Sequence, residues 1–256
     1  GTAISGGSSG YGTVFAVETS GNNFATLYSF TDGSDGSQPI GTLILADNFL
    51  YGTAYTGGSS RDGTVFKVDT AGNNFATLHS FSSSSSGRLP VAGLILSGNT
   101  LYGTTADGGS GNFGTLFQVD TNGNNFTVLR NFDFSNGGSP RCILILSGNT
   151  LYGTVYMGGS SAGGAVFYVN TDGSNFTILH NFLGYPNEGG NPSAGLVLSG
   201  TTLYGTTTSG GNTQQGTVFS LTLPSDCAPA TWPSKPSHYA GLTITGSIGC
   251  QYSIQY

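Results

Sequence analysis

Charge is the scarcest property of this chain. Asp, Glu, Lys and Arg make up 7% of its 256 residues, and Lys and Arg together number six. Six cations cannot form a stripe that neutralises phosphates and releases their counterions, so nucleic acid is excluded as a partner, and anionic membranes with it. Long apolar runs are missing too. The longest, such as residues 195–198, stop far short of the roughly 20 needed to cross a bilayer, so no membrane span is expected. With a net charge of −6, almost no Lys and a surface that must be Ser, Thr and Asn, the composition suits the outside of a cell.

What is present is glycine, 44 residues of it, beside 16 Phe and 13 Tyr. Disordered chains lack aromatic and β-branched residues, so this one folds, with its glycines in turns. Internal repeats decide how. The glycine opening Gly-Thr-Val-Phe recurs at Gly12, Gly63, Gly114, Gly164 and Gly216, at spacings of 51, 51, 50 and 52. Tyr-Gly-Thr recurs in phase at Tyr51, Tyr102, Tyr152 and Tyr204, and the chain begins at Gly1-Thr2 as if its own Tyr had preceded them.

Each copy reads as four short strands, exemplified in cyclic order by residues 142–147, 151–155, 115–120 and 126–132. Gly98-Asn99 and Gly148-Asn149 mark tight hairpins between the first and second strands. Residues 69–73 and 120–124 turn the third strand into the fourth, with Asp bonding its own backbone and Gly in the left-handed region. Four hairpin-linked antiparallel strands repeated about every 51 residues predict an all-β, five-bladed β-propeller of four-stranded blades. The tandem repeats fall at 1–40, 41–91, 92–141, 142–193 and 194–222. A Pro-rich connector follows at 223–239. Residues 240–256 read as strands that could close the ring.

One blade cannot bury both faces, so Phe15, Phe66, Phe117, Phe167 and Phe219 are expected to form an interblade core. Residues 240–246 echo 92–98 and could supply the strand missing from the opening blade, which makes Leu242, Ile244, Tyr252 and Ile254 candidate assembly or closure residues. Cys227 and Cys250 flank the one segment that departs from the repeat, and a disulfide there would staple the tail in an oxidising compartment. Cys142 stands where other copies have Gly41, Ala92 and Ala194, as expected of a small buried thiol.

Catalytic chemistry is hard to find. The acids sit in turns: Asp69, Asp120 and Asp172 in the third hairpin, Asp32, Asp35, Asp133 and Glu188 in the loop before the first strand. They read as solvated or turn-capping residues rather than a glycosidase pair. Asp32 and Asp35 could wrap a calcium ion but lack the acid count and distal Glu of a strong motif; no other cofactor is implied. His79 and His180 share one strand position with Tyr28 and Arg130, which rules out a ring of imidazoles, and His238 has no ligand-spaced companion. The Gly-Gly pairs such as Gly57-Gly58 precede neither a Lys nor a helix and read as long turns. Asn125-Phe126-Thr127 and Asn175-Phe176-Thr177 match the glycosylation acceptor pattern.

Taken together, Leu-Tyr-Gly-Thr-Thr, Gly-Gly, Gly-Thr-Val-Phe-x-Val and Asn-Phe-Thr-x-Leu-x-x-Phe resemble the GloVer (Gloeo/Verruco) tandem-repeat family of bacterial surface and secreted proteins over residues 1 to about 222. The resemblance implies export, gives residues 240–256 a second reading as the start of a further C-terminal β module, and assigns no catalytic residues. The function expected first is therefore a non-enzymatic extracellular structural or adhesive protein, self-associating into a filament through its C-terminal strand. The alternatives are a glycan-binding module, with Tyr55, Tyr156 and Tyr185 stacking on sugars, and a polysaccharide hydrolase or lyase.

Overall fold

The computed structural model describes residues 1–184, 186, 188–223 and 254–255. Among these there is no helix. The strands fall in chain order as β1 (Thr2–Ala3), β2 (Thr13–Ala16) and β3 (Ala25–Ser29), then β4 (Ile44–Ala46), β5 (Phe49–Ala54), β6 (Thr64–Asp69) and β7 (Ala76–Ser80). The third copy gives β8 (Ile95–Ser97), β9 (Thr100–Thr105), β10 (Thr115–Asp120) and β11 (Thr127–Asn131), and the fourth β12 (Ile145–Ser147), β13 (Thr150–Val155), β14 (Ala165–Asn170) and β15 (Thr177–Asn181). After them come β16 (Gly189–Gly190), β17 (Val197–Ser199), β18 (Thr202–Thr206), β19 (Ser209–Gly210), β20 (Val218–Thr222) and β21 (Ile254–Gln255).

All pairings between these strands are antiparallel, and within the three inner hairpin meanders neighbours in sequence are neighbours in the sheet. Sheets β4–β7, β8–β11 and β12–β15 are four-stranded, and the last, β17-β18-β20-β21, reaches four only by taking β21 from the C-terminus. The expectation of four strands in every repeat is corrected at the first sheet, which has three among the described residues. There the chain starts at the second-strand position and nothing described pairs with the far edge of β1. The two-stranded ribbon β16–β19 is no further sheet of this kind. It joins two loops that elsewhere touch through single bridges, Ser37 to Thr56 and Arg88 to Asp107.

The sheets group into two compact units, one of residues 1–134 with 138–143 and one of 135–137 with 144–256. In the first unit, consecutive sheets pack face to face. Val14 and Phe30 meet Phe66 and Val68, and Val65 and Phe81 meet Phe117 and Val119 one repeat later. The rings of Phe30 and Phe66 lie edge to face at 5.1 Å, as do those of Phe81 and Phe117. In the second unit the same contact recurs between Phe182 and Phe219 at 5.0 Å, inside a cluster with Val166, Leu203 and Leu221. Edge-to-face geometry suits the ring quadrupoles.

The two sequence markers explain each other. Within a sheet, the glycine of Tyr-Gly-Thr lies directly across from the phenylalanine of Gly-Thr-Val-Phe: Gly52 opposite Phe66, Gly103 opposite Phe117, Gly153 opposite Phe167 and Gly205 opposite Phe219. A Cβ on Gly103 would sit 2.6 Å from the Phe117 ring and 2.7 Å from Leu94, so only glycine leaves room for the ring. The glycine that opens the second marker is fixed differently. Gly63 has φ of +100°, and Pro90 of the next loop packs 2.6 Å from where its Cβ would be.

A β-bulge recurs where this marker meets the fourth strand, between Val14 and Phe15, Val65 and Phe66, Leu116 and Phe117, and Val166 and Phe167. One extra residue there bends and twists the fourth strand.

Candidate functional site

Two sets of loops meet at one end of the sheets. The loops between second and third strands, such as residues 55–63, carry the Gly-Gly pairs, and the loops between fourth and first strands, such as 30–43, lie against them. Gly58 donates its N–H to Gly33 and Gly109 to Ser83. The loops are pinned a second time at the residue before each proline. Gln38, Leu89, Ser139 and Asn191 all take φ of 56–59° and each donates its N–H to a carbonyl at 2.7–3.0 Å, those of Tyr11, Asp62, Phe113 and Gly163.

The acids at this end are caps on those loops. The Asp35 carboxylate accepts from Thr31 N–H at 2.8 Å, Thr31 Oγ1 at 2.7 Å, Gly33 N–H at 3.1 Å and the Tyr28 hydroxyl at 3.2 Å. Burial first, then the charge and hydrogen bond of Asp35, push the Tyr28 hydroxyl up to about 12. Asp32 accepts from Ser37 Oγ at 2.7 Å and has Arg61 at 3.7 Å. Donors therefore point at the carboxylate oxygens that a calcium ion would need. Among the described residues, no group of three or more His, Cys, Asp or Glu is placed to hold a metal ion.

In the fourth copy Glu188 occupies the same loop position, accepting from Leu183 N–H at 2.5 Å with His180 Nε2 at 3.0 Å. In the second copy it is Ser86, whose Oγ accepts from Ser82 N–H at 2.8 Å. His79 thus has no carboxylate beside it. Its ring lies flat on Phe126 at 3.5 Å, as Tyr28 lies on Phe75 at 3.8 Å, and burial pushes its pKa down to about 4. The shared strand position of His79, Tyr28 and His180 is a stacking and loop-bracing position.

The other end is turn chemistry. Asp69 accepts from Ala71 and Asn73 N–H at 3.0 and 2.8 Å, and such bonds, that from Asn73 foremost, hold its carboxyl below the usual range. Asn125 and Asn175 of the two acceptor patterns take φ of 54° and 55°, and the Asn125 amide donates to Asp120 at 2.7 Å. These asparagines are in the pattern because a left-handed turn needs them.

Phe66, Phe117, Phe167 and Phe219 are buried, whereas Phe15 is only half-buried. Cys142 is buried at the segment where consecutive copies touch. At the corresponding Gly41, a Cβ would lie 2.7 Å from the Ala92 carbonyl, which explains the small residues. Tyr55 and Tyr156 are half-buried, while Phe134 stands 47% exposed beside Phe113 at a ring distance of 5.6 Å. Cys227, Cys250, Leu242, Ile244, Tyr252, Tyr185, His238 and the 223–239 connector beyond Leu223 lie outside the described residues. Ile254 is placed by its backbone in β21, opposite Leu221.

The family described as Gloeobacter/Verrucomicrobia repeat matches residues 1–167 and 134–231. No curated protein matches the chain by sequence. Among solved structures, similarity is found to a nidogen/laminin complex (TM-score 0.51, 16% identity), to the GH74 enzyme of Niastella koreensis (0.53, 16%) and to a putative 6-phosphogluconolactonase of Bacteroides uniformis (0.53, 16%). The chain is covered to 84, 82 and 89% and spans 71, 32 and 64% of those chains. These are propeller-type structures, and at this identity the likeness is one of β-propeller fold alone.

Proposed function

The chain belongs to the Gloeobacter/Verrucomicrobia repeat family, and from that premise we propose that it is a non-enzymatic extracellular protein with a structural or adhesive role. Its five sheets serve as five blades, and copies join through the C-terminal segment. The observation that carries this reading is a mismatch between the first sheet and the last. Among the described residues the first sheet has three strands and nothing pairs with the far edge of β1, while the last is completed by a strand from more than thirty residues beyond β20. A sheet lacking a strand and a tail that adds strands are complementary, and exchange between copies propagates head to tail. Low charge supports it, since a net −6 spread over 256 residues opposes close packing of copies only weakly.

The acids support the non-enzymatic part. Asp35, Asp69 and Glu188 are each engaged by backbone N–H groups of their own loops, the work of caps. Light scattering and negative-stain imaging of the full chain against a chain ending at Asp226 test the reading. Polymers are expected from the full chain and lost on truncation; polymers that survive truncation overturn the strand-exchange route.

Glycan binding is the second reading, favoured by the exposed Phe134 beside Phe113. A glycan array without signal at high protein concentration would remove it.

A further inference from the structure

The loop-bracing position of the fourth strand is complete in two copies and incomplete in another. In the first copy the Tyr28 hydroxyl donates to Asp35 at 3.2 Å, and in the fourth His180 Nε2 lies 3.0 and 3.2 Å from the two carboxylate oxygens of Glu188. In the second copy Ser86 follows Phe81 at the same interval as Asp35 follows Phe30. Its hydroxyl turns back on its own loop, accepting from Ser82 N–H at 2.8 Å and donating to the Ser82 carbonyl at 3.3 Å. His79 Nε2 is left sealed from water, with no hydrogen-bond partner among the described residues.

A neutral imidazole can occupy that place at modest cost, and an imidazolium cannot. The ring is pressed flat on Phe126 of the third sheet at 3.5 Å and meets Phe81 edge to face at 4.9 Å. Charging it would bury a cation whose Nε2–H has nothing to donate to, which costs far more than an unmet neutral nitrogen. The charged groups on the surrounding elements are engaged elsewhere. Asp62 accepts from Ser83 N–H at 2.8 Å, Arg88 holds Asp107, Lys67 donates to the Thr121 carbonyl at 3.2 Å, and Asp120 accepts from Asn125. Burial alone therefore lowers the basicity of the ring. Relief requires the imidazole to reach water, which lifts it off Phe126. Phe126 packs against the cluster of Val65, Phe81, Phe117 and Val119 that joins the second and third sheets, so the seat of the imidazole is part of that joint.

We propose that the second repeat holds an acid-sensitive joint, in which protonation of His79 withdraws its ring from Phe126, opens residues 81–87 and loosens the second sheet from the third. All of these residues lie within one compact unit. The open form takes up a proton that the closed form does not hold, so opening gains as pH falls from 6.5, the ordinary value of the ring, toward about 4, its value when closed. Above that interval the joint is shut. Tyr28 and His180, each with a carboxylate beside it, lack the buried unmet nitrogen that drives the opening.

Amide hydrogen exchange of the full 256-residue chain tests it. The Phe81 N–H donates to the Gly63 carbonyl at 2.9 Å at the base of the loop, and its counterpart Phe132 N–H donates to Gly114, also at 2.9 Å. Between pH 7.5 and pH 4.5, corrected for intrinsic exchange, Phe81 is expected to lose about 70-fold in protection, the ratio that those two values allow, while Phe132 stays within about twofold. Ser86→Asp installs the carboxylate that the first copy uses and should remove most of that loss. His79→Phe keeps a stacked ring without the titrating nitrogen and should show no acid loss at Phe81, which keeps the test open if Ser86→Asp does not fold. Unchanged protection at Phe81 down to pH 4.5 would overturn the proposal. So would equal losses at Phe81 and Phe132, which mean that the whole unit opens, and a loss at Phe81 that survives in His79→Phe, which assigns the acid sensitivity to another group.

Discussion

Val65 and Val218 occupy the same place on the same strand of two copies, yet one is sealed from water and the other stands open to it. The sheets differ little in themselves. Both pair a tyrosine-marked second strand with a phenylalanine-marked third, and both seat that phenylalanine over a glycine. What differs is the neighbour, so burial in this protein is a property of the interface between repeats rather than of the repeat. That is the energetic structure of a quasi-one-dimensional array, in which intrinsic and nearest-neighbour contributions add.

The comparison breaks most sharply at the aromatic residues. Phe117→Ala removes a ring from the centre of an interior interface and is expected to cost about 3–5 kcal/mol, whereas Phe24→Ala, at a ring exposed on the first sheet, should stay within about 0.5 kcal/mol. Urea unfolding of the two variants measures the difference, and equal losses would mean that the ends are covered in solution.

The glycine under the ring sharpens it. Gly103→Ala forces a methyl against Phe117 and Leu94, both held by the neighbouring sheet, and is expected to cost about 1–3 kcal/mol. Gly1→Ala makes the same clash with Phe15, but that half-buried ring can swing away, so its melting temperature should match wild type.

A pH dependence at the interior histidine sharpens it further. Because burial lowers the folded-state pKa of His79 to about 4 from an ordinary 6.5, the unfolded chain binds the proton first on acidification. Its contribution is therefore complete above pH 6.5 and is lost as pH falls toward 4. The melting temperature of wild type should drop across that window more than that of His79→Phe, and identical pH profiles would place the imidazole in water.

Much of this architecture could be read before any coordinates. The third strand of the type copy, residues 115–120, has the predicted ends, because two glycine-bearing turns bound an unbroken run of Thr, Leu, Phe and Val. The first strand shrinks from the expected 142–147 to Ile145–Ser147. Leu89 at φ 59° could not have been foreseen, because leucine has no local preference for that conformation; the N–H bond to Asp62 from a distant loop imposes it. The bulges were invisible for a similar reason, as register shifts are decided by the partner strand. Asp35 and Glu188 were legible as loop acids, but not as counterparts of each other, because the loop of the fourth copy is one residue longer between its Phe and its Pro.

The glycine–phenylalanine contact also bears on how such a chain can grow. Both halves of that lock lie inside a single repeat, on adjacent strands, so duplicating or deleting one whole copy leaves no ring without its recess and no recess without its ring. The joints between copies need only set the Val of one third strand against the Phe and Val of the next. Length can then change in steps of a whole sheet while every remaining fit is preserved, whereas a cut through the middle of a copy strands half of a lock on each side.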